Sequence, residues 1–180
     1  MDRRLIEETF PVKEVSKESS KEKSVRQGHI STLHTWWARR PLLASRAVCF
    51  ASLIQFSSNK KKNDEHVEFI KKLSVWHMPD YDHTISKARK MVLNANNSKP
   101  FKVLDPFAGG GSIPLEALRL GCETYASEYN PVANIVLKGT LEFVQKFSGI
   151  KLNDFKNIEE NNFINDIKSW KTWLVDKTKK

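Results

Sequence analysis

Phe101-Lys-Val-Leu-Asp105-Pro-Phe107-Ala-Gly109-Gly-Gly111-Ser-Ile-Pro114, continued to Glu128-Tyr-Asn-Pro131, reads as a strand, a glycine turn, a helix and a second strand ending in an acid. The apolar run of Phe101, Val103 and Leu104 starts after Pro100 and stops at a turn, which predicts a strand over 101–105. Three successive glycines remove every Cβ from the bend, so the backbone can take positive φ and a ligand can lie directly against it. Pro114 suits the first turn of the following helix, and Gly121 stands where a helix C-cap is expected. Ile113, Leu115, Ala117 and Leu118 give that helix its apolar stripe. The chain is extended again from Cys122 to Tyr129, with Glu128 at the carboxyl end of the second strand. Ligands of open α/β sheets bind at that edge, where an acid can accept both hydroxyls of a ribose.

What the loop lacks narrows the ligand. A dinucleotide fingerprint needs Gly-x-Gly-x-x-Gly, but Ser112, Ile113 and Pro114 follow Gly111; a P-loop needs Gly-Lys-Ser/Thr, which is absent. No basic residue lies between Asp105 and Glu116 to neutralise a phosphate, while Asp105 offers a carboxylate to a cation. A ligand with a sugar, an aromatic base and a positive end fits, and S-adenosylmethionine has those parts.

The segment Asp105-Pro106-Phe107-Ala108-Gly109-Gly110-Gly111 resembles the Asp-x-Phe-x-Gly-x-Gly cofactor motif of DNA amino-methyltransferases. With the stretch from His29 to Ala47, it resembles the N-terminal family of unknown function found at the start of adenine-specific DNA methylases that carry a zinc ribbon. The resemblance implies an α/β, partial Rossmann-like, S-adenosylmethionine-dependent methyltransferase fold with a helical N-terminal extension. It further implies that Phe107, Gly109 and Gly111 line the cofactor, with the rest of the loop to Ser112 around it. Asp105 would face the methionine end, Glu128 would take the ribose, and Tyr129 would pack on the adenine.

Composition bounds the alternatives. At 180 residues the length suits one domain; 39% of residues are hydrophobic and 28% charged. There is no apolar run of bilayer length, and the start, Met-Asp-Arg-Arg-Leu-Ile-Glu-Glu, lacks the apolar core of a signal peptide, so no membrane partner and a cytoplasmic location are expected. Cys49 and Cys122, too few and too far apart for a zinc site or disulfide framework, read as buried free thiols, and the five histidines show no metal-ligand spacing. The net charge of +9 is unevenly placed: Lys23 to Asn63 holds no Asp or Glu but includes Arg26, Arg39, Arg40, Arg46 and Lys60 to Lys62. Such a stripe suits a polyanion.

The second informative stretch, His29-Ile-Ser-Thr-Leu-His34-Thr-Trp36-Trp37-Ala-Arg39-Arg40-Pro41-Leu42, lies inside that stripe. Adjacent tryptophans on a helix point about 100° apart, so one core face cannot bury both equally. Three readings stand. Trp36 and Trp37 stack on an unpaired base while Arg39, Arg40 and Arg46 hold phosphates of DNA; or the tryptophans pin the segment to the sheet; or the segment closes over the methionine end of the cofactor.

Elsewhere, helices are expected near residues 2–10, at Pro41–Phe56, Asp64–Leu73 and Asp82–Asn94, and from Pro131 onward with Val132, Val136, Gly139, Phe143 and Phe147 on one face. A last amphipathic helix carries Phe163, Ile167, Trp170 and Leu174. The domain reading is an exposed N-terminal arm over 1–28, a helical basic region over 29–97, a cofactor-binding core over 98–147 and a C-terminal helix within 148–180. Residues 11–24, rich in Lys, Glu and Ser, are the exposed part of the arm.

Two strands are too few for a methyl-transferring sheet, and the sequence contains no Pro-Pro dipeptide. The Asp/Asn-Pro-Pro-aromatic motif that holds an extruded adenine amine is therefore missing; Asn130-Pro131-Val132-Ala133 reads as a helix start instead. No catalytic residue is assigned. The expectation is the cofactor-binding front of an adenine-specific DNA methyltransferase that works only with a second polypeptide. The alternatives are a non-catalytic nucleic-acid-binding or remnant protein, and part of an RNA methyltransferase.

Overall fold

A strongly apolar helix is the one that the other described helices of the N-terminal half pack against. The computed structural model describes residues 3–25 and 28–147, together with 172, 175 and 176. Helix α3 (Leu42–Leu53) buries Ala47, Phe50 and Ala51 completely. Against it pack α1 (Leu5–Glu8), α2 (Val12–Lys23), α4 (Lys60–Leu73), α5 (Tyr81–Asn94) and α6 (Ser112–Arg119). It ends three residues before Phe56 because Ile54 turns extended. There the Leu5 N–H donates to the Ile54 carbonyl and the Phe56 N–H to the Arg3 carbonyl, both at 2.9 Å.

Residues 11–24 are not an exposed arm. Val15, Ser19 and Glu22 of α2 are spaced i, i+4 and i+7, share one helical face and are buried. Glu22 is fully enclosed, and its two carboxylate oxygens accept from the Leu42 N–H at 2.8 Å and the Leu43 N–H at 3.0 Å. A carboxylate from one helix thus closes the donor end of the next. Average polarity hid this face, because two of the three residues that α2 buries are polar.

Helix α4 begins one turn before the expected Asp64, since the Asn59 side chain accepts from the Lys61 N–H at 3.0 Å. Lys60, Lys61 and Lys62 are exposed on its first turn. Helix α5 starts at Tyr81, with Asp80 in the N-cap position.

The two expected strands form a parallel pair, β1 (Lys102–Asp105) and β2 (Glu123–Ala126), joined by α6, with Val103 opposite Thr124 and Leu104 opposite Tyr125. This is a mixed α/β architecture, mostly helical, with a two-stranded parallel sheet among the described residues. Phe101 and Val103 pack on the core formed by α3 and α6. On the opposite face Leu104 is 68% exposed and Tyr125 48%.

After β2 come α7 (Pro131–Leu137), a π-helical segment (Lys138–Phe143) and α8 (Val144–Phe147). The buried side of this stretch is Ala133, Leu137 and Thr140, whereas Val132 is exposed, so the expected apolar face is offset by one residue. Residues 1–142 make one compact unit and 143–180 a second. Among the described residues the second holds α8 and the helical positions 172, 175 and 176. The helix expected to carry Phe163, Ile167, Trp170 and Leu174 lies outside the described residues. No helix among the described residues is long and apolar enough to cross a membrane.

Candidate functional site

The glycine turn is held to the end of β2 by backbone bonds. The Ser127 N–H donates to the Asp105 carbonyl at 2.9 Å, and the Ala108 N–H donates to the Ser127 carbonyl at 3.0 Å. This places Glu128 under the turn, where its carboxylate accepts from the Gly109 N–H at 2.8 Å and from the Tyr129 N–H at 2.9 Å. The Gly109 N–H foremost, then that of Asn130, lowers the Glu128 pKa, so the group is a carboxylate at neutral pH. Asn134 fixes the same corner by donating to the Glu128 carbonyl at 2.7 Å. Asn130 caps α7 through the Val132 N–H at 2.9 Å, as a helix start should.

A cleft of about 440 Å³ opens beside this corner, lined by Asp105, Phe107, Gly109 and Glu128 on one side and Trp36, Arg39 and Arg40 on another. Its size is in the range of small-molecule sites. Ala108, Gly110 and Ser112 also line it. Pro106, Gly111 and Tyr129 do not, and neither do Trp37 and Arg46. Phe107 is 84% exposed and Tyr129 fully so, which leaves both rings bare at this end of the sheet.

Packing within the chain already requires these glycines. A Cβ on Gly109, at φ +51°, would stand 2.7 Å from the Trp36 indole nitrogen; one on Gly110 would stand 3.2 Å from the Trp36 Cβ. A Cβ on Gly111, at φ +80°, would meet the Leu137 side chain at 2.8 Å. Trp36 is therefore seated against the turn, and the Ser112 hydroxyl fastens its segment by donating to the Arg40 carbonyl at 2.8 Å. The segment is not a helix around the tryptophans. It holds one 3-10 turn (Ile30–Thr32) and then irregular chain, which sends Trp36 inward and leaves Trp37 96% exposed.

The fold also changes the argument about phosphates. The loop itself has no basic residue, but Arg39 and Arg40 reach the cleft from the distant segment, so an anionic end of a ligand has partners there. Arg46 moves the other way. It is buried on α3, with its Nε 2.6 Å from one Glu116 oxygen and its Nη2 3.2 Å from the other, while Nη1 donates to the Leu73 carbonyl at 3.2 Å. A guanidinium spent in this way is not available to DNA. Cys49 and Cys122 are buried free thiols, with burial raising them to about 12 and about 11, so neither is a nucleophile at neutral pH.

Sequence reasoning missed Leu137, which fills the space beside Gly111, and the seating of Trp36 on Gly109. Complementarity of a large ring with a bare glycine is a long-range feature, and nothing local to either residue announces it.

A family model described as "Protein of unknown function (DUF1156)" matches residues 9–74. That stretch runs through α2, the tryptophan segment and α3 to the end of α4; it stops short of the glycine turn. The description assigns no function. No curated protein and no solved structure gives a significant match to the chain.

Proposed function

We propose that the chain is the S-adenosylmethionine-binding portion of an adenine-specific DNA methyltransferase with a Rossmann-like core, completed by a second polypeptide. The observation that carries this reading is Glu128, an ionised acid at the carboxyl end of β2, held 2.8 Å from a glycine-turn amide at the edge of the cleft. The N–H groups of Gly109, Tyr129 and Asn130 take three of its acceptor sites, and the one that remains suits a ribose hydroxyl. The donor set fits the rest of the cofactor: Asp105 for an ammonium, Arg39 or Arg40 for a carboxylate, and the exposed Phe107 ring for the adenine. The bound cofactor would supply the methyl group; this chain's residues would hold and orient it. Calorimetric titration with S-adenosylmethionine tests the proposal. Glu128→Ala is expected to weaken binding at least about tenfold. Gly109→Ala is expected to cost roughly 1–2 kcal/mol of backbone strain and to displace Trp36 as well. Equal affinity in wild type and Glu128→Ala would place the cofactor elsewhere.

A second reading, nucleic-acid binding without catalysis, is favoured by the bare Trp37 beside exposed Arg40 and by the three lysines on the first turn of α4. If these meet phosphates, the affinity for duplex DNA should fall with salt at a log–log slope of about −0.9 per contact. Arg46→Met should leave the slope unchanged, whereas Arg40→Gln should lower it by about one contact. A flat salt response would remove DNA as the partner of this surface.

A further inference from the structure

A larger cleft, of about 530 Å³, lies between the start of α3, the segment joining α4 to α5, and the end of α6. It shares no lining residue with the glycine-turn cleft. One wall is aromatic. The Trp76 ring stands 5.4 Å from the His29 ring at 55° and 4.7 Å from the His77 ring at 63°. Tyr81 continues that wall, held under the Arg46 guanidinium at 5.3 Å. The other wall carries Arg119, a third exposed, with one guanidinium nitrogen on Glu116 at 2.5 Å.

The polar chemistry of the cleft is one-sided. Among the described residues that line it there is no Asp or Glu. The acids that touch its walls are already engaged: the fully buried Glu116 by Arg46 and Arg119, the fully buried Glu22 by the N–H groups of Leu42 and Leu43, and Glu18 by Lys21 and the Trp76 N–H. The polar residues of its lining are Arg46, Arg119, Tyr81, Trp76, His29 and His77, a set able to donate to an anion. His77 adds a local sign of constraint. It holds φ +55°, a left-handed conformation that is uncommon for a residue with a side chain, and in it the imidazole meets the edge of Trp76.

We infer that this cleft is a second binding site, for the phosphate group of a nucleotide, with Arg119 and Tyr81 on the phosphate and the base against Trp76. The nucleotide is either free or one unit of a single strand; the shared chemistry is a phosphate ester attached to a planar base. The inference does not rest on methyl transfer, since it uses none of the glycine-turn residues.

The test is titration of the full chain, followed by calorimetry, with cytidine monophosphate, cytidine and a short oligocytidylate. A pyrimidine avoids any preference of the other cleft for adenine. Binding of the monophosphate at least about tenfold tighter than cytidine, lost about tenfold in Arg119→Gln, supports a free nucleotide. Binding of the oligonucleotide alone, with the same loss in Arg119→Gln, supports a strand. Tyr81→Phe removes only a hydroxyl and keeps the ring under Arg46; it should lower affinity several-fold with an unchanged circular dichroism spectrum. Failure of both phosphate-bearing probes to bind would overturn the inference. So would binding of both cytidine and its monophosphate with equal affinity, or a folded Tyr81→Phe or Arg119→Gln variant that binds as wild type does.

Discussion

Replacing Glu116 by alanine is expected to lower the free energy of unfolding by about 3–5 kcal/mol, a large share of the roughly 5–15 kcal/mol that holds a domain together. Glu116 is fully buried on α6, where it receives Arg46 from α3 through both carboxylate oxygens and Arg119 from its own helix. Taking the carboxylate away strands the Arg46 guanidinium in the core, where burial disfavours its charge. The converse change should cost less. Arg46→Met leaves Glu116 with Arg119, which is partly exposed and can still neutralise it. A double variant, Arg46→Met with Glu116→Met, replaces a buried pair by apolar volume and should recover most of the loss. Urea denaturation followed by circular dichroism measures all three. A Glu116→Ala variant within about 0.5 kcal/mol of wild type would mean that water reaches the pair, which its complete burial opposes.

The strand, turn and helix around the glycines were legible because each rests on local chemistry. Proline in the first turn of α6, Gly121 at φ +85° after it and Asn130 as the cap of α7 are signals contained within a few residues. The same holds for α3, whose apolar content over a dozen residues leaves no other place than the core. What could not be read were the partners of polar side chains. Arg46 and Arg39 look alike in a run without acids, yet one is locked to Glu116 and the other lines a cleft. Only packing separates them, and packing is set by helices distant in sequence. Glu22 shows the same limit: in a polar segment it reads as solvated, but it is enclosed because α3 presents two bare N–H groups to it.

The position of Trp36 connects the two informative stretches into one device. Gly109 and Gly110 have no side chains where the indole lies, so the turn and the tryptophan segment are shaped for each other. Of the three readings of the tryptophans, this geometry fits pinning for Trp36, which holds its segment on the turn at the end of β1, while Trp37 stands 96% exposed.

Methyl transfer to DNA is expected to be absent from this chain alone and to appear when a second polypeptide carrying an Asp/Asn-Pro-Pro-aromatic motif is added. The reason lies in the sheet. Among the described residues β1 pairs with β2 on one side only, and the face away from α6 shows Leu104 and Tyr125 to solvent. Unpaired strand groups beside exposed apolar side chains are a surface that draws another chain. Strands supplied by that second polypeptide would carry the far wall of the glycine-turn cleft and the group that holds an extruded base, for which the sequence offers no Pro-Pro. Purified alone, the chain should therefore change apparent size with concentration in light scattering, and should transfer no label from radiolabelled S-adenosylmethionine to DNA. Mixing with the second polypeptide should give a defined complex and measurable transfer, and Leu104→Lys should weaken that complex while leaving cofactor affinity intact. A chain that stays monomeric at all concentrations and methylates DNA unaided would defeat the split-enzyme reading, because the catalytic group would then have to come from residues already on this fold.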